Sequence, residues 1–299
     1  MNNAILFFYK LNISELKKIN ENYYFTYNNE NYIVERYKRR LEEVIELYQL
    51  NIELTARKIP TYKIILTANN DILFKYKEKF YIMMRIPKIK NRFITYKDIE
   101  MFNIIPSAKY QKIDKTNWSY NWSKKIDYIE YQFNQVKNKY KIINLSIDYY
   151  IGMWENAISY YNDHNITNNK TITHKRITID TDLLDFLNPL NLVIDFKERD
   201  IGEYLKSYVL NKNYGKAQLT KILEKINKKN SAILLISRIL FPSYYFDIYD
   251  EIVIGGENES AINEIITKQK NINSLISYMF EYFYKYNITR INWIKKDEN

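Results

Sequence analysis

The stretch "THKRITIDTDLLDFLNPLNLVIDFKERDIGEYLK", Thr173 to Lys206, contains one of only two histidines in a chain of 299 residues. Within it a largely apolar run, Leu190 to Ile194, ends on Asp195, and a second acid, Asp200, follows five residues later. The order reads as a loop opened by His174, a short buried strand, and a helix beginning at Arg199 or Asp200. Titratable groups gathered at the end of a buried strand mark a candidate site, and the identity of those groups decides its chemistry.

On the N-terminal side, "NYYFTYNNENYIVERY" (residues 22–37) reads as two strands around the turn "NNEN". A helical rhythm follows from Arg39 to Arg57, with apolar Leu41, Val44, Ile45, Leu47, Tyr48, Ile52 and Leu54 among charges. Residues 62–86 then give two or three strands broken by "ANND" and "KEK" and bracketed by Pro60 and Pro87. After Pro106 the pattern becomes helical. One long helix is expected over Asp114–Tyr140, capped by Thr116 or Asn117, and a second over Ser146–Asp163. From Gln218 the chain is helical nearly to its end, with Pro242 breaking or bending it. The expected class is therefore α+β: a two-lobed, protein-kinase-like arrangement with an antiparallel-sheet lobe at 1–90 and a helical lobe at 91–299.

Composition narrows the function. Hydrophobic residues make up 46% and charged residues 27%, the balance of a folded domain. The net charge of +10 favours acidic partners, but it is spread along the chain, and its densest cluster, Arg36 to Arg40, opens a helical pattern. A nucleic-acid role is therefore not expected. The 30 tyrosines accompany heavy Lys, Asn and Ile usage and carry little information alone. Cysteine is absent, which excludes disulfides, thiolate metal sites and a cysteine nucleophile. No basic residue precedes the apolar patch in "MNNAILFFYKLNISELKK", and no run approaches 18 apolar residues, so neither a signal peptide nor a membrane span is expected. The expected location is cytoplasmic.

Four blocks carry a family resemblance: "YYIGMWENAISYY" (149–161), "THKRI" (173–177), "VIDFKERDIGEYLK" (193–206) and "LLISRILFPSYYFDIYDEI" (234–252), with "ITRINWI" (288–294) similar too. Together they resemble the YutH-type spore coat proteins, relatives of the CotS coat proteins and of aminoglycoside and choline phosphotransferases. The resemblance implies a kinase-like fold whose catalytic loop begins His-x-Asp, with that aspartate as base and a later strand ending on a metal-binding aspartate. On this sequence His174 matches the loop histidine and Asp195 the metal aspartate. Asp200 matches the acid that opens the next helix and braces the loop. Arg176 stands where the base belongs.

Arginine stays protonated and accepts no hydrogen bond, so it cannot serve as that base. Asp180, Asp182 and Asp185 are the loop carboxylates that offer a substitute. The first glycine in the chain is Gly152, so the expected phosphate-covering turn has none. The strand expected to carry a phosphate-pairing lysine has Glu35 and Arg36 instead, leaving Arg36 as the candidate nucleotide contact. Asn188 and Asn191 are candidates for the metal-binding asparagine, although "NPLN" equally reads as a turn into the strand. Structural readings stand beside these. His174 anchors its loop, and Asp195 pairs with Arg176 or Lys197. Asp200 caps a helix, with Glu203 completing a capping box. Arg238 pairs inward with an acid such as Asp200. The expectation is a catalytically degenerate kinase-like protein that binds a protein or an anionic ligand. Under the resemblance its setting is the spore coat. No cofactor is expected; ATP and magnesium enter only under the alternative of a divergent small-molecule phosphotransferase.

Overall fold

The computed structural model describes residues 1–164, 166, 168–211 and 215–291. The end of the "ITRINWI" block and two positions of the loop around His164 lie outside the described residues. The chain forms two compact units that interleave in sequence. The first comprises Met1–Ile94, Ile104–Asp114 and Asp180–Ile194; the second comprises Thr95–Asn103, Lys115–Ile179 and Asp195–Asn299.

The first unit opens with α1 (Asn2–Tyr9), which the sequence showed only as a short apolar patch. Then come β1 (Lys17–Ile19), β2 (Asn22–Tyr27), β3 (Glu30–Arg36), α2 (Val44–Ala56), β4 (Lys63–Ile65), β5 (Phe74–Tyr76) and β6 (Lys79–Arg85). All pairings in the sheet are antiparallel, in the order β1-β2-β3-β6-β4, with β5 also on β6. The hairpin β2–β3 turns on Asn28 and Asn29, both left-handed with φ of 49° and 60°. Asparagine tolerates this conformation, and two consecutive left-handed residues give the turn whose twist matches the flanking strands. Helix α2 buries Leu47, Leu50 and Leu54. It is tied to β4 by Asn51, which donates to the Tyr62 carbonyl at 2.6 Å and accepts from the Ile64 amide at 3.0 Å.

Two later segments join this unit through backbone and side-chain bonds. Glu46 of α2 accepts the amides of Gln111, Lys112 and Ile113. Buried Arg39 donates to the carbonyls of Leu190 and Leu192 at 3.0 and 2.6 Å. The Tyr62 amide donates to the Leu187 carbonyl. A boundary set by position at residue 90 leaves these contacts out of account, because they join residues more than 60 positions apart.

The second unit is mainly helical. Helix α3 (Tyr96–Met101) starts with a capping box between Thr95 and Asp98. Helix α4 (Trp118–Val136) begins four residues later than the periodicity suggested, because the Asn117 side chain accepts the Tyr120 amide and fixes the start there. Helix α5 (Lys141–Asp163) and β7 (Lys170–His174) follow. Short helix α6 (Leu183–Phe186) belongs to the first unit, and β8 (Leu192–Phe196) runs from the first unit into the second. Strands β7 and β8 form a two-stranded sheet. Helices α7 (Glu198–Asn211), α8 (Lys216–Leu223), α9 (Lys229–Leu240), α10 (Ser243–Val253) and α11 (Ala261–Tyr282) complete the unit. Residues 229–253 are long and apolar enough to cross a membrane, but 83% of the apolar window is buried. Phe241–Pro242 also splits it into α9 and α10.

Helices α7 and α9 approach closely at Gly202, where an added Cβ would sit 2.7 Å from Arg238 Cγ and 3.1 Å from its Cβ. Gly202→Ala forces these helices apart and is expected to lower stability by about 1–3 kcal/mol, read as a reduced urea midpoint with unchanged m. Gly152→Ala, where nothing lies within 4 Å of the added carbon, is the expected neutral comparison.

Candidate functional site

In the second unit β7 ends on His174, β8 ends just after Asp195, and α7 starts at Glu198. Asp195 is fully buried. Its Oδ1 accepts the Trp118 indole N–H at 2.8 Å and the Phe196 amide at 2.8 Å, and its Oδ2 accepts from Arg199 Nη1 at 2.8 Å. Arg199 also donates to the carbonyls of His174 and Lys175, each at 2.7 Å. One guanidinium thus fastens the strand-end acid to the loop after β7. Burial pushes the Asp195 carboxyl above its ordinary value, against the pull of Arg199 and Arg238.

His174 is buried beside Phe102, with ring centroids 4.9 Å apart. Its Nδ1 lies 2.6 Å from Asp200 Oδ2, and its backbone amide donates to Asp200 Oδ1 at 3.0 Å. Asp200 is therefore a brace for the loop. The capping reading is corrected: α7 already starts at Glu198, so Asp200 lies inside its first turn with its carboxylate turned to His174.

Arg176 holds two acids in a fork, Glu203 at 2.7 Å and Asp247 at 2.6 Å. Glu203 does not complete a capping box. It accepts also from Lys206 at 2.8 Å, Arg238 at 2.7 Å and the Ser243 hydroxyl at 2.9 Å. Burial pushes the Glu203 carboxyl up, but Lys206, Arg238 and Arg176 together hold it well below its ordinary range. The expected partners of two residues change accordingly. Asp195 pairs with Arg199, four residues on, instead of Arg176 or Lys197. Arg238 pairs with Glu203 instead of Asp200, because the Gly202 contact sets α9 against that part of α7.

In the first unit Arg36 is bound to Glu21, which also holds Lys38 at 2.7 Å and Lys79 at 3.3 Å. Asn188 accepts from the Leu190 amide at 2.9 Å and donates to Glu35 at 2.8 Å, so it caps the turn Pro189–Asn191 that leads into β8. Asn191 donates to the Asp185 carbonyl. Asp180, Asp182 and Asp185 all fall in this unit, with Asp182 at the start of α6. Burial, with Asp182 nearby, raises the Asp185 carboxyl.

The donors at Asp195 do not fit a magnesium ion. Both carboxylate oxygens are taken by N–H donors, one of them a cation, and the group has no surface left for water or phosphate oxygens. Among the described residues, no three His, Cys, Asp or Glu side chains gather to hold a metal. Arg199, Trp118 and Asp247 are site residues that the sequence reading missed. Only Arg199 carried a signal, its four-residue spacing from Asp195. His164 sits at the end of α5 with Nδ1 2.8 Å from the Tyr160 carbonyl oxygen. Beside Arg176 lies a cleft of about 590 Å³, lined among others by Lys206, Tyr244, Asp247, Ile248 and Asp250.

A family model described as "Spore coat putative kinase YutH" matches residues 2–279. Endospore coat-associated protein YutH of Bacillus subtilis is 25% identical over 292 residues, covering 85% of this chain and 86% of its own length. Among solved structures, an aminoglycoside phosphotransferase from Alicyclobacillus acidocaldarius superposes with a TM-score of 0.68 at 9% identity, over 95% of this chain and 97% of that one. Choline kinase LicA from Streptococcus pneumoniae superposes with a TM-score of 0.56 at 14% identity, over 91% and 97%. The fold is therefore that of the aminoglycoside and choline kinases.

Arg199→Met leaves the Asp195 carboxylate buried without its cation and is expected to cost about 3–5 kcal/mol in denaturant unfolding. Adding Asp195→Leu removes the stranded charge and is expected to return most of that loss, a coupling read from the double-mutant cycle. Glu203 gives a pH dependence. Its folded-state value is depressed, so its stabilisation is complete above the ordinary value of 4.5 and fades as pH falls below it. Urea midpoints measured at steps below neutral pH are expected to drop in that acidic window.

Proposed function

The chain belongs to the YutH family of spore coat proteins, and on that premise we propose that it is a kinase-fold protein without phosphotransfer activity that serves the coat by binding another protein. The observation that carries the reading is the state of the two groups that chemistry would need. Where the resemblance puts a base stands Arg176, forked onto Glu203 and Asp247. Where it puts a metal ligand stands Asp195, sealed from water and neutralised by Arg199. A phosphoryl transfer site stabilises charge with metal and cations and needs a hydrogen-bond acceptor for the attacking hydroxyl. Here the acceptor is a donor, and the metal ligand is saturated. The relative from Bacillus subtilis carries an endospore-coat association in its name, which supports the coat as the setting.

Between a protein and an anionic ligand, the cleft beside Arg176 favours the protein. Its lining includes Glu203, Asp247, Asp250 and Glu251 against the cations Arg176 and Lys206. An anion entering it meets net negative charge.

A second reading, a divergent small-molecule phosphotransferase, has one observation in its favour: burial, with Asp182 nearby, raises the Asp185 carboxyl above its ordinary value, the direction that suits a group taking up a proton. The two readings part in a single experiment. With millimolar ATP and magnesium, the non-catalytic protein is expected to show no change in melting temperature and no hydrolysis. A magnesium-dependent rise that Asp185→Asn abolishes would establish the second reading instead. Restoring an acid by Arg176→Asp is expected to yield no activity. That change should lower stability by about 1–3 kcal/mol, because it sets a third carboxylate against Glu203 and Asp247.

A further inference from the structure

The cleft beside Arg176 carries net negative charge, and a second cleft in the same unit has the opposite sign. It encloses about 360 Å³ between the end of α5, the start of α9 and residues 287–291, which include the start of the block "ITRINWI". Among its described lining residues are the cations Lys229 and Arg290, the imidazole of His164 and one acid, Asp163. Lys229 spends one of its three N–H donors on the Asn287 carbonyl, at 3.5 Å. Arg290 is exposed and makes no ion pair or hydrogen bond among the described residues, so its fork of N–H donors is free. His164 turns Nδ1 to the Tyr160 carbonyl oxygen, which leaves Nε2 for an outside partner. Tyr160 lines the same cleft, and its hydroxyl is buried with no hydrogen-bond partner among the described residues.

We infer that this cleft receives a carboxylate presented by a partner protein, from a chain terminus or an acidic side chain. The inference rests on the protein-binding reading proposed above and gives it a site and a chemistry. Charge selects the class of ligand. With the imidazole neutral, Lys229 and Arg290 against Asp163 leave one positive charge, which a singly charged carboxylate neutralises. A doubly charged phosphate monoester would leave an excess of negative charge beside Asp163, whose one close neighbour is the Ser159 hydroxyl at 3.5 Å. Geometry agrees, because the planar guanidinium of Arg290 matches a carboxylate with two parallel hydrogen bonds. The walls select a protein as the source. Ser159, Asp163, Lys229, Thr289 and Arg290 are all exposed, so the cleft is polar and open. A small-molecule pocket is mostly apolar and closes around its ligand, whereas an open polar cleft suits a group that projects from another surface. The Tyr160 hydroxyl supplies a further donor that the chain itself leaves unused.

The test titrates the isotopically labelled full chain with short peptides and follows its NMR resonances, which register binding as weak as millimolar. The probes are an alanine peptide with a free C-terminal carboxylate, the same peptide amidated, and one with blocked ends and an internal aspartate. Saturable shifts at Lys229, Arg290 and Tyr160 are expected from the peptides that carry a carboxylate and not from the amidated one. The tighter of the two names the source, chain terminus or side chain. Lys229→Ala and Arg290→Ala should each weaken binding about ten- to a hundredfold. Both residues are exposed, so an unchanged melting temperature separates lost binding from lost folding. Tyr160→Phe should weaken binding about two- to tenfold without lowering the melting temperature, since the hydroxyl has no bond in the chain to lose. The inference is overturned if neither carboxylate peptide gives a saturable shift at millimolar concentration, or if the amidated peptide does as well. Inorganic phosphate that binds more tightly than either peptide overturns it equally. ATP turnover would strike the protein-binding reading and leave this titration standing, whereas a silent titration without ATP turnover strikes this inference alone.

Discussion

A carboxylate with no surface in water is held only if a cation or a set of N–H donors takes the place of that water. At the end of β8 both are present: Arg199 supplies the charge, and Trp118 and the Phe196 amide supply the remaining donors. The same guanidinium reaches the carbonyls of His174 and Lys175, so neutralising Asp195 also sets the course of the loop after β7. His174 then meets Asp200 from the first turn of α7. Strand end, loop and helix start are one bonded assembly, and the acid at its centre is buried because the assembly closes over it.

Next to it, Glu203 serves three cations. Arg176, Lys206 and Arg238 all converge on one buried carboxylate, with Asp247 taking the other side of Arg176. An acceptor for a hydroxyl proton must be an unpaired base, whereas Arg176 has only donors to offer and both arms of its fork are engaged. The position is thereby turned into a structural tie between the loop, α7 and α10.

The first unit reaches a kinase-like sheet without glycine. Its hairpins β2–β3 and β5–β6 turn on Asn28 and Asn29 and on Lys77 and Glu78, all with positive φ. Every one of these residues keeps a Cβ, unlike the glycines of a phosphate-covering loop. Arg36 and Asn188, the groups that the sequence offered for nucleotide or metal, are engaged by Glu21 and Glu35.

Periodicity and turn chemistry made most of the architecture legible: the alternating strands, the α2 rhythm, a cap at Thr116 or Asn117 and the break at Pro242 all follow from local preferences that a linear pattern records. The family blocks added the order of the loop, strand and helix. The sequence also determined that residue 176, the position at which the resemblance expects a base, is a cation. Helix α1 escaped because eight residues are too few for a period to emerge. Which charge meets which was decided only by the tertiary structure. Asp195 had Arg176, Lys197 and Arg199 within reach along the chain, and Arg238 had the three acids of α7 to choose among. Ion pairing depends on distances of a few ångströms set by helix packing, such as the close approach at Gly202, and no local pattern encodes those. The interleaving of the two units has the same origin, since Arg39 and Glu46 find their partners only after the chain has folded back on itself.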